Sequence, residues 1–474
     1  MTIDIGNLRV RFDGEAENLF NGMDIRVEKG EKVLLLGPSG SGKTTLLNIM
    51  GGLIPRVIDI PMKADTLKVS EDGAYVFQDP DSQFTMPTVG EELGFVLENK
   101  GVQRAEMEQQ FTDVLEAVGL DVPVGMNIQE LSGGMKQKLA VASALLQDTD
   151  TLFLDEPASM LDEDSARHVW DTVESIWDNR TVVIVEHRVE YIWDKVDRVI
   201  LMDDSAGIVR DGTPGDILTN HGDLLRAFGV WHPRSWDRAP VFERAKPTEE
   251  ILLEAKGLDV RRRKDTVIKV DELKIRRGEW VTIEGANGTG KTSLLLALLK
   301  LIPSAGDIHH RGKKIRKTKH IAGSVYPVFQ NPELQFITNK VFDEVFINLE
   351  MHFDKTEAMR QTGKILESFG LSRVAHLHPL EISTGQKRRL SVATAAGGVP
   401  EIIMLDEPTF GLDQKQTFRM LEFFDGMTKA GKTIVMITHD KEIQKRYPSR
   451  RLLIEDGRLT ERTAVDDAPV NQEV

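Results

Sequence analysis

A glycine-rich loop of the form G-x-x-x-x-G-K-[ST] occurs twice in this chain, once in each half. An apolar run precedes each loop, at Val33–Leu36 and Trp280–Ile283, and a helix-forming run follows it. Such glycines let consecutive backbone N–H groups turn toward one anion, the lysine reaches the outer phosphates of a nucleotide, and the next hydroxyl ligates Mg²⁺. The sequence therefore predicts two nucleoside triphosphate sites with Mg²⁺. The loops consist of Gly37, Pro38, Ser39, Gly40, Ser41, Gly42, Lys43, Thr44 and Thr45, and of Gly285, Ala286, Asn287, Gly288, Thr289, Gly290, Lys291, Thr292 and Ser293.

Other residues recur in the same order in both halves, which indicates that one domain pattern is written twice. Each copy is roughly 230 residues long, and such repetition predicts two domains of one fold. We expect a first domain over residues 1–230, a second over 251–462 and a frayed tail over 463–474. Residues 231–250 contain three prolines and many charges and are predicted to form a linker. The recurring pairs are Lys43 and Lys291, Gln78 and Gln330, Ser132 and Ser383, Asp155 and Asp406, and His187 and His439.

The composition is typical of a soluble globular protein with more than one domain. A chain of 474 residues exceeds what one hydrophobic core normally supports. The 75 acidic and 60 basic side chains give a net charge of −15, which argues against a general nucleic-acid binder. The absence of cysteine excludes disulfides and cysteine-based zinc sites. The N-terminus lacks a secretory signal pattern and no apolar stretch is long enough to span a bilayer, so we expect a cytoplasmic location.

Strand and helix patterns alternate in both halves, which predicts an α/β fold with a mostly parallel sheet. Helical periodicity covers residues 104–118 and 355–369. The most apolar runs are short enough to be buried strands, because strands in such sheets are covered on both faces. These runs are residues 151–154, 181–185, 402–405 and 433–437.

Two carboxylates end an apolar strand in each half, Asp155 with Glu156 and Asp406 with Glu407. The aspartate can hold Mg²⁺ through its water shell, and the glutamate can orient and deprotonate a water that attacks the γ-phosphate. An acidic turn where a strand merely emerges into solvent is the simpler alternative. The glycine-rich loop upstream makes the catalytic interpretation the better one.

A glutamine and a histidine also end short strands in both halves. Gln78 and Gln330 each precede a proline turn, where the amide can reach both Mg²⁺ and the attacking water. His187 and His439 follow the strand after the acidic pair, where an imidazole can hydrogen-bond the γ-phosphate. A single glutamine or histidine in such a place is more often structural, but the matched positions favour a role at the nucleotide.

The most specific element is a serine followed by small residues at the start of a helical pattern. N–H groups and the positive helix dipole at such a start attract an anion. With this element the chain resembles a pair of ATP-binding-cassette (ABC) ATPase domains over nearly all of both halves. The resemblance implies two tandem P-loop domains, each with a mostly parallel core sheet, an antiparallel β subdomain and a helical subdomain. The signature residues are Ser132, Gly133 and Gly134 in one half and Ser383, Thr384 and Gly385 in the other.

The resemblance also implies how two ATP molecules are held. In that family two cassettes face each other head to tail, so Lys43 would share its ATP with Ser383, and Lys291 with Ser132. Thr384 replaces the first signature glycine, which implies a slower site at Lys43. The resemblance places Asp162 and Asp413 in the D-loops of the two halves. For the adenine it suggests Phe12 in the first half and one of Arg261, Arg262 and Arg263 in the second.

Paired cassettes occur in transporters, in translation factors and in chromosome or repair proteins. The short, proline-bearing linker and the lack of a long insertion favour transport. The segments 78–84 and 330–336, with Glu186 before His187, are similar to energy-coupling-factor (ECF) importers. This resemblance implies a peripheral subunit on the cytoplasmic face of the cell membrane, with a membrane coupling subunit, a substrate-binding subunit and no nucleic acid. It suggests a vitamin or vitamin precursor as cargo, such as thiamine or hydroxymethylpyrimidine. The alternatives are a sugar or peptide importer, or a soluble factor acting on ribosomes or DNA.

Overall fold

A computed structural model describes residues 3–12, 14–15, 17–38, 40–159, 161, 163–177, 179–243, 246–262, 265–398 and 400–462. The predictions on Ser39, Asp162, Arg263 and the tail 463–474 lie outside these residues. Contacts divide the chain into two compact units, Met1–Arg238 with Asp413–Gln416, and Ala239–Leu412 with Thr417–Val474. The boundary between the units falls inside the predicted linker, whose Trp231, His232 and Ser235 are buried.

The first unit contains two sheets and a set of helices. Its strands are β1 (Ile3–Val10), β2 (Phe20–Val27), β3 (Lys32–Leu36), β4 (Met62–Lys63), β5 (Thr66–Lys68), β6 (Gly73–Val76), β7 (Thr151–Asp155), β8 (Thr181–Val185), β9 (Arg198–Met202) and β10 (Ile208–Gly212). Its helices are α1 (Lys43–Met50), α2 (Leu53–Arg56), α3 (Val89–Asn99), α4 (Arg104–Ala117), α5 (Gly133–Gln147), α6 (Glu163–Ile176), α7 (Pro214–Asn220) and α8 (Gly222–Ala227).

The core sheet of the first unit has the strand order β10-β9-β3-β8-β7-β6. Its neighbours from β9 to β6 run parallel, and only β10 pairs antiparallel. Alternate residues of β3 enter different cores: Val33 and Leu35 pack with the antiparallel sheet and α1, and Leu34 and Leu36 pack with α3 to α6. Because side chains alternate across a strand, both faces of this sheet are covered.

The second unit repeats this design with one continuous sheet. Its strand order is β15-β14-β11-β12-β20-β19-β13-β18-β17-β16. The strands are β11 (Ile251–Arg262), β12 (Asp265–Arg276), β13 (Trp280–Glu284), β14 (Ser304–His310), β15 (Lys313–Lys314), β16 (Val325–Val328), β17 (Ile402–Asp406), β18 (Thr433–Ile437), β19 (Arg450–Glu455) and β20 (Arg458–Arg462). The helices are α9 (Lys291–Leu298), α10 (Val341–Glu350), α11 (Lys355–Ser368), α12 (Thr384–Gly397), α13 (Gln414–Lys429) and α14 (Lys441–Arg446).

The predicted fold class is confirmed in both halves. The expected strands lie within one residue of β7, β8, β17 and β18, and the two helical patterns correspond to α4 and α11. Antiparallel strands and a group of helices flank each parallel core, as the ABC resemblance implied. None of the helices in the described part of the chain is both long and apolar enough to cross a bilayer.

Candidate functional site

The predicted site residues of each half follow the carboxyl ends of neighbouring parallel strands. In the first unit β3, β8, β7 and β6 are adjacent, and they lead into the glycine-rich loop, His187, Asp155 with Glu156, and Gln78. In the second unit β13, β18, β17 and β16 have the same order. Carboxyl ends of parallel strands meet at one edge of a sheet, where α/β proteins bind ligands. Each half therefore gathers its own set of these side chains.

Each glycine-rich loop wraps around its own lysine. Lys43 Nζ donates to Gly37 O at 2.9 Å and Pro38 O at 2.8 Å, and Lys291 Nζ donates to the carbonyls of Gly285 and Ala286 at 2.8 Å. Burial lowers the pKa of Lys43, against the opposing effect of Glu156 and Asp155. A buried ammonium whose partners are neutral carbonyls can exchange them for phosphate oxygens.

The first glycine of each loop is required by the packing of the strand beside it. A Cβ on Gly37 would lie 2.5 Å from Met202 O, and one on Gly285 would lie 2.6 Å from Ile454 O. Both glycines also have positive φ values, 153° and 142°. No other residue type fits this approach without moving backbone, because a contact below 3.0 Å with a carbonyl cannot be relieved by a side-chain rotation.

Oxygen ligands suited to Mg²⁺ meet at the start of α1 and of α9. Thr44 hydrogen-bonds Asp155, and Thr292 Oγ1 donates to Asp406 Oδ2 at 2.7 Å. Burial raises the pKa of Asp155 to about 6 and also raises that of Asp406. Asp155 Oδ1 is buried without a hydrogen-bond partner among the described residues, which leaves an acceptor for a cation or its water shell.

The donor set fits Mg²⁺, which prefers carboxylate and hydroxyl oxygens and completes its shell with water and substrate phosphates. No group of three or more histidine, aspartate or glutamate side chains in the described ranges forms a metal site by itself.

The catalytic candidates Glu156 and Glu407 share an uncommon backbone conformation. Their φ angles are 52° and 51°, in the left-handed region. The N–H of Glu156 donates to Val185 O at 2.8 Å, and that of Glu407 donates to Ile437 O at 3.0 Å. These bonds hold the glutamate against the neighbouring strand. Left-handed backbone in a residue other than glycine costs about 1 kcal/mol or more and is found most often where function requires it.

In the first half Glu156 is hydrogen-bonded to both predicted neighbours. Gln78 Nε2 donates to Glu156 Oε2 at 3.1 Å, and His187 Nε2 lies 2.9 Å from Glu156 Oε1. Burial alone would raise the pKa of Glu156, but the hydrogen bond and charge of His187, with the charge of Lys43, outweigh it and lower the pKa. Burial likewise opposes a charged His187, but Glu156 raises the pKa of the imidazole. The two side chains therefore lie within hydrogen-bond distance, and each favours the charged form of the other.

In the second half the corresponding side chains are farther apart. His439 Nε2 lies 3.6 Å from Glu407 Oε1, and that oxygen is buried without a hydrogen-bond partner in the described part of the chain. Burial, followed by the charge of Asp406, raises the pKa of Glu407 to about 8. The net shift of the Glu407 pKa is therefore opposite in direction to that of Glu156.

A cleft of about 210 Å³ joins the predicted residues of the second half. Its lining brings together ten of them with Val267 and Ile437, so the sequence prediction and the shape of the surface agree here. The ten are Asn287, Gly288, Gly290, Lys291, Thr292, Ser293, Gln330, Asp406, Glu407 and His439.

The two signature serines begin helices. Ser132 Oγ accepts from Met135 N at the start of α5, and Ser383 Oγ accepts from Gln386 N at the start of α12. The Gln386 side chain also accepts from Ser383 N, which completes a capping box. The small residues that follow, Gly133 and Gly134 or Thr384 and Gly385, form the first turn in each case. The predicted sharing of ATP between these serines and the lysines stays a prediction, as does the role of Asp413.

Phe12 lies beyond the end of β1 and is 39% exposed, so its ring is available to a base. In the second half Arg261 is exposed, and the structure places the apolar side chains of Val267 and Ile437 in the cleft lining. The adenine contact was the weakest sequence prediction because no spacing rule fixes it, and it remains a prediction.

Sequence reasoning missed two buried residues of the signature helices that reach toward the acidic pairs. Gln137 Nε2 donates to Glu156 O at 3.4 Å. At the corresponding place in α12, burial lowers the pKa of Arg388, although Glu407 and Asp406 favour its charge. Each lies between two basic residues, Lys136 and Lys138 or Lys387 and Arg389, so the local sequence gives no sign that its side chain is buried.

Comparisons with known proteins agree with this geometry. The family described as ABC transporter matches residues 20–159 and 268–410, more than half of the chain. A Bacillus subtilis (strain 168) protein named "Putative HMP/thiamine import ATP-binding protein YkoD" is 30% identical over 507 residues, covering 98% of this chain and 91% of that protein. A Vibrio vulnificus (strain CMCP6) protein named "Putative ABC transporter ATP-binding protein VV2_1533" is 31% identical over 525 residues, covering 99% and 90%.

Solved structures show the same fold at lower identity. The complex of archaeal ribosomal stalk protein aP1 with the ribosome recycling factor aABCE1 contains a chain with a TM-score of 0.66 and 19% identity, covering 96% of this chain and 89% of that one. A structure titled RNase-L Inhibitor gives a TM-score of 0.65 at 20% identity, covering 96% and 90%. Such distant likeness shows the fold alone. Taken with the near-full-length relatives and the two matched cassettes, it leads to one conclusion: this chain belongs to the ABC transporter family and is an ATPase with two ATP-binding cassettes.

Proposed function

We propose that this chain is the ATP-hydrolysing subunit of an ECF-type membrane importer for a vitamin or vitamin precursor. The observation that carries this proposal is the near-full-length similarity to a relative whose name assigns it to HMP/thiamine import. The ECF-like segments 78–84 and 330–336 and the Glu186-His187 pair support the same subgroup. Thiamine or hydroxymethylpyrimidine is the cargo class that this relative suggests.

In the proposed reaction each cassette binds the phosphates of ATP with its glycine-rich loop and Lys43 or Lys291. Mg²⁺, when bound, neutralises charge on the phosphates, and Thr44, Gln78 and Asp155 would hold it in the first half. The corresponding ligands in the second half would be Thr292, Gln330 and Asp406. These side chains hold the nucleotide still while the γ-phosphate is transferred to water.

Glu156 and Glu407 are the proposed general bases. Each accepts a proton from the attacking water at a carboxylate oxygen, and the histidine of the same half, His187 or His439, holds the water and the γ-phosphate in line. Glu156 lies within hydrogen-bond distance of His187, which lowers its pKa. The raised pKa of Glu407 favours its neutral form before ATP binds. Both halves carry the complete set, so we propose that both hydrolyse ATP.

A membrane subunit is proposed to dock beside the glutamine segment of the second half. Leu334 and Ile337 follow Gln330 and are 75% and 77% exposed. Exposed apolar side chains next to a nucleotide-sensing residue suit a partner helix that must respond to ATP. The corresponding first-half residues, Ser82 and Thr85, are polar. We therefore propose a peripheral location on the cytoplasmic face of the membrane.

The test is purification of the tagged full chain from gently detergent-treated membranes, followed by mass spectrometry. We expect integral membrane proteins to co-purify, and a Leu334→Asp/Ile337→Asp variant should lose them while it still hydrolyses ATP. Val241→Asp, at an apolar residue that is 92% exposed elsewhere, is the control and should retain them. Ribosomes or DNA in place of membrane proteins would contradict the importer and favour a soluble factor.

A further inference from the structure

A buried carboxylate that the proposed mechanism does not use lies directly beside His187. Glu186 follows β8 and is only 3% exposed. Its Oε1 accepts from the backbone N–H of His187 at 2.7 Å and of Arg188 at 3.3 Å. Its Oε2 is buried without a hydrogen-bond partner among the described residues. Burial, together with the charge of Glu156, raises the pKa of Glu186 to about 7.

The second half fixes the corresponding turn in another way. There Thr438 takes the place of Glu186: its Oγ1 accepts from the backbone N–H of Asp440 at 3.2 Å, and the carboxylate comes after the histidine instead of before it. Asp440 accepts from the N–H groups of Glu442 and Ile443 and so caps α14. In the first half the residue after His187 is Arg188. Its side chain has no hydrogen-bond acceptor, so it cannot hold the following backbone N–H groups as Asp440 does.

The two arrangements differ in the distance that they give between the imidazole and the base. With Glu186 behind the turn, His187 Nε2 lies 2.9 Å from Glu156 Oε1. With Thr438 in that place, His439 Nε2 lies 3.6 Å from Glu407 Oε1. A buried carboxylate is costly unless hydrogen bonds compensate it. The second half has no carboxylate at the corresponding position, Thr438, and still forms the same fold, so the fold itself does not require Glu186.

We propose that Glu186 is a positioning residue of the first ATP site, whose carboxylate holds the turn at His187 so that the imidazole stays within hydrogen-bond distance of Glu156. Glu186 acts through the backbone of His187, with which it shares a hydrogen bond. The inference rests on the role proposed above for His187 and is independent of what the importer carries. It also gives the chain two sites whose histidines are held by different means.

The experiment compares ATP hydrolysis by the full chain in four variants: Glu186→Thr, Glu186→Gln, His187→Ala and the double variant Glu186→Thr/His187→Ala. We expect Glu186→Thr to remove most of the turnover that His187→Ala removes. The KM for ATP should stay within about twofold, because the phosphate loop is untouched. The double variant should be no slower than His187→Ala, because two residues that act through one contact are not additive.

Glu186→Gln keeps an acceptor oxygen and nearly the same volume, so it should recover most of the activity that Glu186→Thr loses. Glu190→Gln is the matched control, because Glu190 lies in the same turn but pairs through its Oε1 with Arg188 Nη2 at 3.1 Å. It should behave as the unmodified chain. Thermal unfolding of each variant separates slow chemistry from poor folding.

Wild-type turnover in Glu186→Thr, alongside a slow His187→Ala, would overturn the inference and leave the proposed role of His187 intact. Full turnover in His187→Ala would instead remove the role of His187 and the inference with it. A raised KM with unchanged kcat, or a glutamine variant as slow as the threonine variant, would also contradict positioning through the backbone hydrogen bonds.

Discussion

Glu156 and Glu407 follow corresponding strands with nearly the same φ, yet their pKa values shift in opposite directions. Glu156 accepts hydrogen bonds from Gln78 and lies against His187, which lowers its pKa. Glu407 is buried without such a partner for Oε1 among the described residues, and its pKa rises to about 8. The backbone therefore fixes the position of each proposed base, and the neighbouring side chains determine how readily it accepts a proton.

The largest expected effect comes from removing both bases. A Glu156→Gln/Glu407→Gln chain should hydrolyse ATP at least a hundredfold more slowly than the unmodified chain, because general-base catalysis contributes about 10²–10⁴-fold. ATP binding should persist, since the glycine-rich loops and lysines are unchanged. Phosphate release measures turnover and equilibrium dialysis measures binding, and Glu455→Gln, at an exposed strand end, serves as the control. Undiminished hydrolysis would show that neither glutamate is the base.

A smaller effect is expected in the way that ATP hydrolysis by each half depends on pH. In Glu156→Gln, turnover depends on Glu407, which becomes a carboxylate only as pH rises through about 8. Its hydrolysis should therefore increase about tenfold between pH 7 and pH 9. In Glu407→Gln, turnover depends on Glu156, whose pKa is below its ordinary value, so the rate should not rise over that range. Parallel pH profiles in the two variants would contradict the difference between the sites.

The smallest expected effect is on the free energy of unfolding, and it concerns the first glycine of each loop, Gly37 and Gly285. Here we expect the two halves to behave alike. Gly37→Ala and Gly285→Ala should each lower the free energy of unfolding by about 2 kcal/mol, because the new Cβ would overlap a carbonyl of the adjacent strand. Gly30→Ala and Gly278→Ala are matched controls with positive φ but nothing within 4 Å, and should cost about 1 kcal/mol. Denaturant unfolding of the variants measures these values. A large inequality between Gly37→Ala and Gly285→Ala would show that the two loops are not packed alike.

The fold could be predicted from the sequence, and so could the gathering of most candidate site residues at one sheet edge, because both depend on local patterns. Apolar strands that end in Asp155-Glu156 or Asp406-Glu407, after a glycine-rich loop, specify one edge of a parallel sheet. The burial of part of the predicted linker was harder to predict, because prolines and charges surround Trp231. Its ring is buried, and its centroid lies 5.4 Å from that of Trp236.

The state of each site could not be predicted from motifs. The distances from His187 and His439 to the proposed bases differ by less than an ångström, which no motif encodes. In the sequence Glu186 is only a mark of resemblance to ECF importers. Its contact with the backbone of His187 becomes visible only when the turn after β8 is folded.

The left-handed backbone at Glu156 and Glu407 also limits how this protein can be made more robust. Glycine adopts those torsions freely, so exchanging either acid for glycine would relieve local strain while abolishing the proton acceptor. Selection for thermal stability alone would therefore favour an inactive chain, whereas selection for ATP hydrolysis keeps a glutamate in the left-handed conformation at both positions. Stability and activity thus make opposite demands on the backbone at Glu156 and Glu407.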